Sequence, residues 1–336
     1  MLTPAPLLSA ELCVIASSSS ANCSLLRVRA EGHTYVILID AGLSPRRTNA
    51  FLAASNIAHI DHVLLTHLDS DHWHNGWLAH MPAETTIHIH KRHRSRAERC
   101  GLSYLKTSLF ESSFSLIPGL TVHPLLVAHD DLGAAAFVLH FTAQSRKLGY
   151  ATDTGTPTPT LCDHLRGVDV LAIESNYCPQ MQLASTRPDF LKSRIMGGRG
   201  HLSNQQSARA VAAIAPKEAL ILLHLSRECN SRDAATLVHT ANQTQHKNAT
   251  HPTTNAACLA TNPATNAGNP TTSEPYRSTN PAAPSTTSSP NSPKLIIAHA
   301  DTPTPWVRIV DPQLHPHSPP TTQIHQANCF QPLLFA

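Results

Sequence analysis

The apolar run Val63-Leu64-Leu65 breaks off at Thr66, and the chain continues His67-Leu68-Asp69-Ser70-Asp71-His72-Trp73-His74-Asn75-Gly76. A strand that ends in His-x-Asp-x-Asp-His carries four metal-ligating side chains, His67, Asp69, Asp71 and His72, on one short loop. Imidazole and carboxylate are the ligands that suit Zn²⁺, Mn²⁺ and Fe²⁺. So tight a turn points neighbouring side chains in different directions, and the loop cannot wrap a single ion alone. The spacing predicts two adjacent ions, each completed by residues from elsewhere in the chain, and two-metal hydrolysis as the chemistry.

Four other segments supply candidates to complete them. Asp40 ends the run Val36-Ile37-Leu38-Ile39, and His129 follows Leu125-Leu126-Val127-Ala128. Asp153 follows Gly149-Tyr150-Ala151-Thr152, and His224 follows Ile221-Leu222-Leu223. Each stands where a sheet-like run stops, the place at which α/β folds gather their chemistry.

From residue 10 to 239 strand-like and helix-like patterns alternate. Strands are expected near 11–16, 24–30, 34–40, 61–66, 85–89, 120–127, 134–141, 146–151, 168–173 and 218–224. Helices are expected near 45–55, 73–80, 90–99, 158–165, 188–194, 203–215 and 231–239, the sixth opened by Ser203 as N-cap. Two mixed sheets packed face to face with external helices, an α/β, αββα sandwich, fit this order. Charged residues are 14% and aromatics 5%, so the core must lean on Leu, Ile, Val and Ala. Residues 240–293 change character to Thr, Asn, Pro, Ser and Ala. Such a tract cannot bury enough area to offset its ordering entropy, and reads as a disordered insertion. Residues 294–311 look like final strands of the same domain, and 312–336 like a loose tail.

These segments, in this order, resemble the metallo-β-lactamase superfamily, whose loop signature is His-x-His-x-Asp-His; Asp69 stands at the second His. The resemblance implies that His67, Asp69 and His129 hold one ion, that Asp71, His72 and His224 hold the other, and that Asp153 bridges them. Water activated between two divalent ions would be the nucleophile, with Asp40 orienting a ligand imidazole from behind. An anionic oxygen at Asp69 tilts the choice between Mn²⁺ and Zn²⁺ towards Mn²⁺.

Within the superfamily the chain is most similar to the YycJ/WalJ-like branch, associated with 5′→3′ DNA exonuclease activity. The similarity rests on Ser17-Ser18-Ser19-Ser20-Ala21-Asn22-Cys23, Ile39-Asp40-Ala41-Gly42-Leu43-Ser44 and Leu171-Ala172-Ile173-Glu174-Ser175-Asn176-Tyr177. It rests also on Arg199-Gly200-His201-Leu202-Ser203-Asn204 and His224-Leu225-Ser226-Arg227-Glu228-Cys229-Asn230. It covers residues 11–235, with a remnant at 303–310, and departs at Ala21, where the branch favours Gly, as well as at Asp69. A hydroxyl- and amide-rich loop at Ser18, Ser19 and Asn22 suits phosphate oxygens, although a plain polar hairpin has the same composition. His201, just ahead of a helix N-terminus, is positioned to hold a phosphate or protonate a leaving oxygen, and joins Asp71 as a catalytic candidate. Arg199 and Ser203 flank it as substrate contacts. Glu174 either orients His201 or a ligand, or forms a structural ion pair.

The run Lys91-Arg92-His93-Arg94-Ser95-Arg96-Ala97-Glu98-Arg99, with Arg187, Lys192, Arg194 and Arg199, offers a phosphate-tracking groove, though a solvated helix face looks the same. The formal net charge of +3 does not by itself announce a nucleic-acid binder. The expected function is a metal-dependent hydrolase acting on DNA. A small-molecule phosphodiesterase, lactonase or thioesterase on the same fold is the alternative, and a metal-binding protein without turnover a third reading. Eight cysteines without a Cys-x-x-Cys pair, no basic leader and no membrane-length apolar stretch predict a cytoplasmic protein.

Overall fold

The computed structural model describes residues 7–30, 32–248 and 292–311. Strands β1 (Leu7–Ser18), β2 (Ala21–Ala30), β3 (His33–Ile39), β4 (His62–Leu64), β5 (Thr86–His90) and β6 (Thr107–Phe110) lie side by side in that order in one sheet. Strands β7 (Phe114–Ile117), β8 (Leu120–Val127), β9 (Ala134–Phe141), β10 (Arg146–Ala151), β11 (Val170–Glu174), β12 (Ala219–Leu223) and β13 (Lys294–Ile297) form the second. The last strand, β14 (Val307–Val310), returns to the first sheet antiparallel to β1, so the two C-terminal strands are divided between the sheets.

Leu26, Ile37 and Leu64 from one sheet meet Phe137, Tyr150 and Ile221 from the other in a fully buried middle layer. A polar contact lies within it, between Ser24 Oγ and Tyr150 Oη at 3.1 Å. A second layer packs the outer face of the first sheet around Trp73 and Trp77, and a third packs the second sheet beneath Leu161, Val211 and Ile214. These apolar layers on both faces of each sheet are the αββα sandwich expected from the element order.

The pairing directions decide where chemistry collects. β3, β4, β5 and β6 are mutually parallel, as are β10, β11, β12 and β13. β8 and β10 both run antiparallel to β9, so β8 points the same way as β10. The helix Asn204–Ile214 is set by a capping box: Ser203 Oγ accepts from Gln206 N at 3.2 Å, and Gln206 Oε1 accepts from Ser203 N at 2.8 Å.

Several boundaries differ from expectation. The helix expected over 73–80 is confined to Trp77–His80, because residue 73 forms a β-bridge to Ala41 instead. The expected helix 90–99 is a 3₁₀ turn, Lys91–His93, followed by Arg94–Arg99. β6, β7 and the helix Pro179–Ala184 were not anticipated. The helix expected to stop near 239 runs from Arg232 to Asn248, into the stretch read as insertion. The remainder of that tract, and residues 312–336, lie outside the described residues.

Candidate metal centre

Asp40 follows β3, the His67–His72 loop follows β4, and His129, Asp153, Glu174 and His224 end or follow β8, β10, β11 and β12. The backbone at three of these ends is left-handed: Asp40 at φ 60°, Asp153 at 51° and His224 at 57°. Non-glycine residues adopt this region at a cost, and it recurs where a side chain must be aimed at a site. Here it turns the side chains across the strand ends and towards one another.

Asp40 is fully buried and organises the loop. Its Oδ1 accepts from Thr66 N at 2.8 Å and from Thr66 Oγ1 at 2.9 Å, while Oδ2 accepts from His72 Nδ1 at 2.8 Å. The bond at Nδ1 leaves His72 Nε2 for the site, where Asp153 Oδ2 lies 2.9 Å away. His129 is fixed in the same manner, with Nδ1 donating to Gly200 O at 3.3 Å and Nε2 facing Asp69 Oδ2 at 3.7 Å. His67 Nε2 lies 3.5 Å from the same oxygen. On the other side, Asp71 Oδ2 stands 3.1 Å from His224 Nε2 and 3.4 Å from His72 Nε2.

Among the described residues, four groups of donor atoms occur here, each with all atoms within 4.8 Å of one another. Two are the expected trios, His67, Asp69 and His129, and Asp71, His72 and His224; two more share Asp153, one with His67 and His72 and one with Glu174, His201 and His224. Asp153 joins them, 2.9 Å from His72 and 3.9 Å from His129. All seven residues singled out as ligands therefore converge. Another trio, His33, His59 and Asp61, is mostly solvent-exposed and sits at the opposite end of β3, roughly 20 Å of strand away.

The donors fit a cation. His67 Nε2 is buried with no hydrogen-bond partner among the described residues, a costly state for a polar atom. Burial pushes the His67 pKa down, which favours the neutral imidazole, the form that can ligate a metal. Burial also opposes charge on His72 and His224, yet Asp153 and the other carboxylates push both up, His224 to about 10. Burial raises the pKa of Asp71 and Asp153 too, but the surrounding imidazoles hold both below the carboxylate range. The imidazoles of His129 and His67, 3.7 and 3.5 Å from its Oδ2, hold Asp69 far down. A field that keeps protons on buried imidazoles and off buried carboxylates is one that attracts a small cation.

The remaining expected residues sort by position. His201 Nδ1 donates to Glu174 Oε1 at 2.7 Å, and Glu174 Oε2 accepts from Thr154 N at 2.9 Å and Leu202 N at 3.3 Å. Glu174 thus orients His201 and anchors backbone at once. Asn22 is buried, and its Nδ2 donates to Asp71 Oδ2 at 3.2 Å and approaches His72 Nε2 at 3.1 Å. Its place is inside the donor cluster. Ser18 is buried against Ser20, Ser19 is exposed at the turn, and Ser203 Oγ is engaged in the helix cap.

Arg199 lines an open cavity of about 920 Å³ beside His67, Asp69 and His129, together with Arg96, Arg99 and Arg194. Arg187 is paired with Glu228 and Lys192 with Asp189, and neither lines it. Arg92 donates to Asp131 O at 3.2 Å and does not line the cavity. The sequence placed Arg96 in the basic run without linking it to Asp69, whose Oδ1 lies 2.8 Å away, and gave no role to Asn176, whose Nδ2 donates to His224 O at 2.8 Å.

Paired mixed sheets in an αββα sandwich, with His and Asp donors at one edge, define the metallo-β-lactamase fold class. The sequence model of the β-lactamase superfamily domain matches residues 35–225, and the chain belongs to that family. It is 26% identical to the exodeoxyribonuclease YycJ of Bacillus anthracis over 206 residues, 59% of this chain and 77% of that one. It is 28% identical over 231 residues to the exodeoxyribonuclease WalJ of Streptococcus pneumoniae serotype 2 (strain D39 / NCTC 7466), 66% of this chain and 84% of that one. Among solved structures, the metallo-β-lactamase fold protein YhfI of Bacillus subtilis superposes with a TM-score of 0.56 at 13% identity, covering 88% of this chain and 98% of that one.

Proposed function

We propose that this protein is a metal-dependent phosphodiester hydrolase that degrades DNA from an end. The observation that carries the reading is the cavity in which four arginines, Arg96, Arg99, Arg194 and Arg199, adjoin His67, Asp69 and His129. A lactone or thioester needs no such guanidinium lining, whereas successive phosphates do. The two exodeoxyribonuclease relatives support the same substrate class.

His67, Asp69 and His129 would hold one divalent ion and Asp71, His72 and His224 a second, with Asp153 shared. Bound there, such ions supply Lewis acidity, polarising a phosphoryl oxygen and making water acidic enough to attack at neutral pH. The chain's own residues do the rest. Asp40 and the Gly200 carbonyl fix the His72 and His129 rings so that their Nε2 atoms face the cluster. Glu174 holds Nδ1–H of His201, which leaves Nε2 to deliver a proton to the departing oxygen while Glu174 stabilises the imidazolium. The arginines hold flanking phosphates in register. The six described cysteines are all free, which suits a reducing compartment, and we assign the protein to the cytoplasm. Among the described residues no helix is long and apolar enough to cross a membrane.

The test is metal-supplemented turnover of end-labelled duplex DNA, single-stranded DNA and RNA beside a small phosphodiester. Wild type is expected to shorten DNA, and His72→Ala and Asp153→Ala to lose bound metal and turnover together. His201→Ala should slow DNA and ester alike by about 10²-fold. Intact DNA under every metal, beside a hydrolysed lactone or thioester, would overturn the substrate assignment.

A further inference from the structure

Asp69 is the most exposed of the seven candidate ligands, and only one of its two oxygens faces the cluster's imidazoles. Oδ2 looks into the cluster, 3.5 Å from His67 Nε2 and 3.7 Å from His129 Nε2. Oδ1 accepts Arg96 Nη2 at 2.8 Å. Arg96 is not a loose surface side chain drawn in by chance. Its helix, Arg94–Arg99, buries Ala97, and the turn before it is tied to the loop after His129 by two hydrogen bonds. His93 Nε2 donates to Gly133 O at 3.0 Å, and Arg92 Nη2 to Asp131 O at 3.2 Å. The guanidinium is therefore held in register with the two histidines that Asp69 faces. Asp69 and Arg96 also line a second, neighbouring cavity of about 520 Å³, as do Asp130 and Arg194.

We propose that Arg96 is the positioning residue that makes Asp69 a one-oxygen, charge-compensated ligand, and that this pair sets which metal the first group prefers. The inference rests on the metal centre described above. A free carboxylate offers two oxygens and a full negative charge, which suits larger, oxygen-seeking ions such as Mn²⁺. With Oδ1 engaged by Arg96, only Oδ2 remains, and the guanidinium offsets its charge. One oxygen beside two imidazole nitrogens is a donor set that suits Zn²⁺. Asp69 alone would move the site towards Mn²⁺; Arg96 moves it back.

The test is a double-mutant cycle read on binding rather than turnover. Zn²⁺ and Mn²⁺ dissociation constants are measured by competition with a chromogenic chelator for wild type, Arg96→Ala, Asp69→His and Asp69→His/Arg96→Ala. Arg96→Ala is expected to shift the Mn²⁺-to-Zn²⁺ affinity ratio about tenfold towards Mn²⁺. The same change in the Asp69→His background, where no carboxylate remains to be held, should leave the ratio unchanged. Arg96→Gln keeps the apolar stem and should shift the ratio in the same direction, which covers the case in which alanine unfolds the helix. A ratio unmoved by either Arg96 substitution, or moved equally in both backgrounds, overturns the role of Arg96 while leaving the metal centre standing. A wild type that takes up neither ion overturns both.

Discussion

Gly42 is the residue on which the ligand loop rests. A Cβ built there would lie 1.8 Å from the carbonyl oxygen of Asp71 and 2.8 Å from His72 N. The loop is laid directly on this backbone, with Ala41 N donating to His72 O at 2.8 Å and Asn22 N to Asp71 O at 2.7 Å. Neither peptide can retreat without breaking those bonds. Gly42→Ala is therefore expected to cost about 1–3 kcal/mol of stability, as overpacking does, and to displace Asp71 and His72. Metal content and thermal unfolding of the variant check both effects; a fully loaded protein with wild-type stability would show that the loop can yield. The candidate ligands were legible because they stand at or just beyond the ends of apolar runs. Their supports were not: Asn22 reaches His72 across 50 positions and Arg96 reaches Asp69 from a separate helix. No periodicity announces such contacts.

At the scale of elements, neighbouring strands carry a pair of imidazoles away from the metal centre. His62 Nδ1 on β4 and His88 Nε2 on β5 are 3.1 Å apart, and His88 stacks on Phe114 of β7 at 5.3 Å between ring centroids. Burial pushes the His88 pKa down to about 3, with the neighbouring His62 adding to the effect. Above the unfolded value of about 6.5 neither state holds a proton there, and the pair contributes in full. As pH falls below that value the unfolded chain takes up a proton that the folded chain refuses, so stability is lost on the way down to about 3. Between pH 7 and 4, apo wild type should lose on the order of 3 kcal/mol more than His88→Phe, which keeps the ring stack and cannot titrate. Urea unfolding at both pH values measures it, and parallel curves would mean that His88 is protonated at little cost. The long strands and the capped helix were readable from pattern. β6 and β7 were not, since four residues with interposed serines give too short a period. The helix Arg232–Asn248 overran its expected end because Thr, Asn and Gln in its second half carry no apolar stripe.

Over the whole molecule the formal charge is only +3, so any attraction for DNA must come from placement rather than total. Most cations near the site are already matched: Arg194 by Asp130 at 2.6 Å, Arg187 by Glu228 at 2.9 Å, and Arg96 by Asp69. Arg99 lines the cavity, and among the described residues no ion pair engages it. It is the guanidinium with most to gain from a phosphate. Arg187 has its own carboxylate and lies outside the cavity, which makes it a control of equal charge. For each phosphate contact to duplex DNA, the logarithm of affinity falls with the logarithm of salt by a slope of about 0.9. Arg99→Ala is therefore expected to weaken DNA binding and to reduce that slope by about one. Arg187→Ala should change the slope by much less. Hydrolysis of a small phosphodiester, which reaches only the donor cluster and His201, should stay near wild type in both variants. Equal slopes for Arg99→Ala and wild type, measured by fluorescence anisotropy over 50–200 mM salt, would place the DNA backbone on a different face from the arginine-lined cavity.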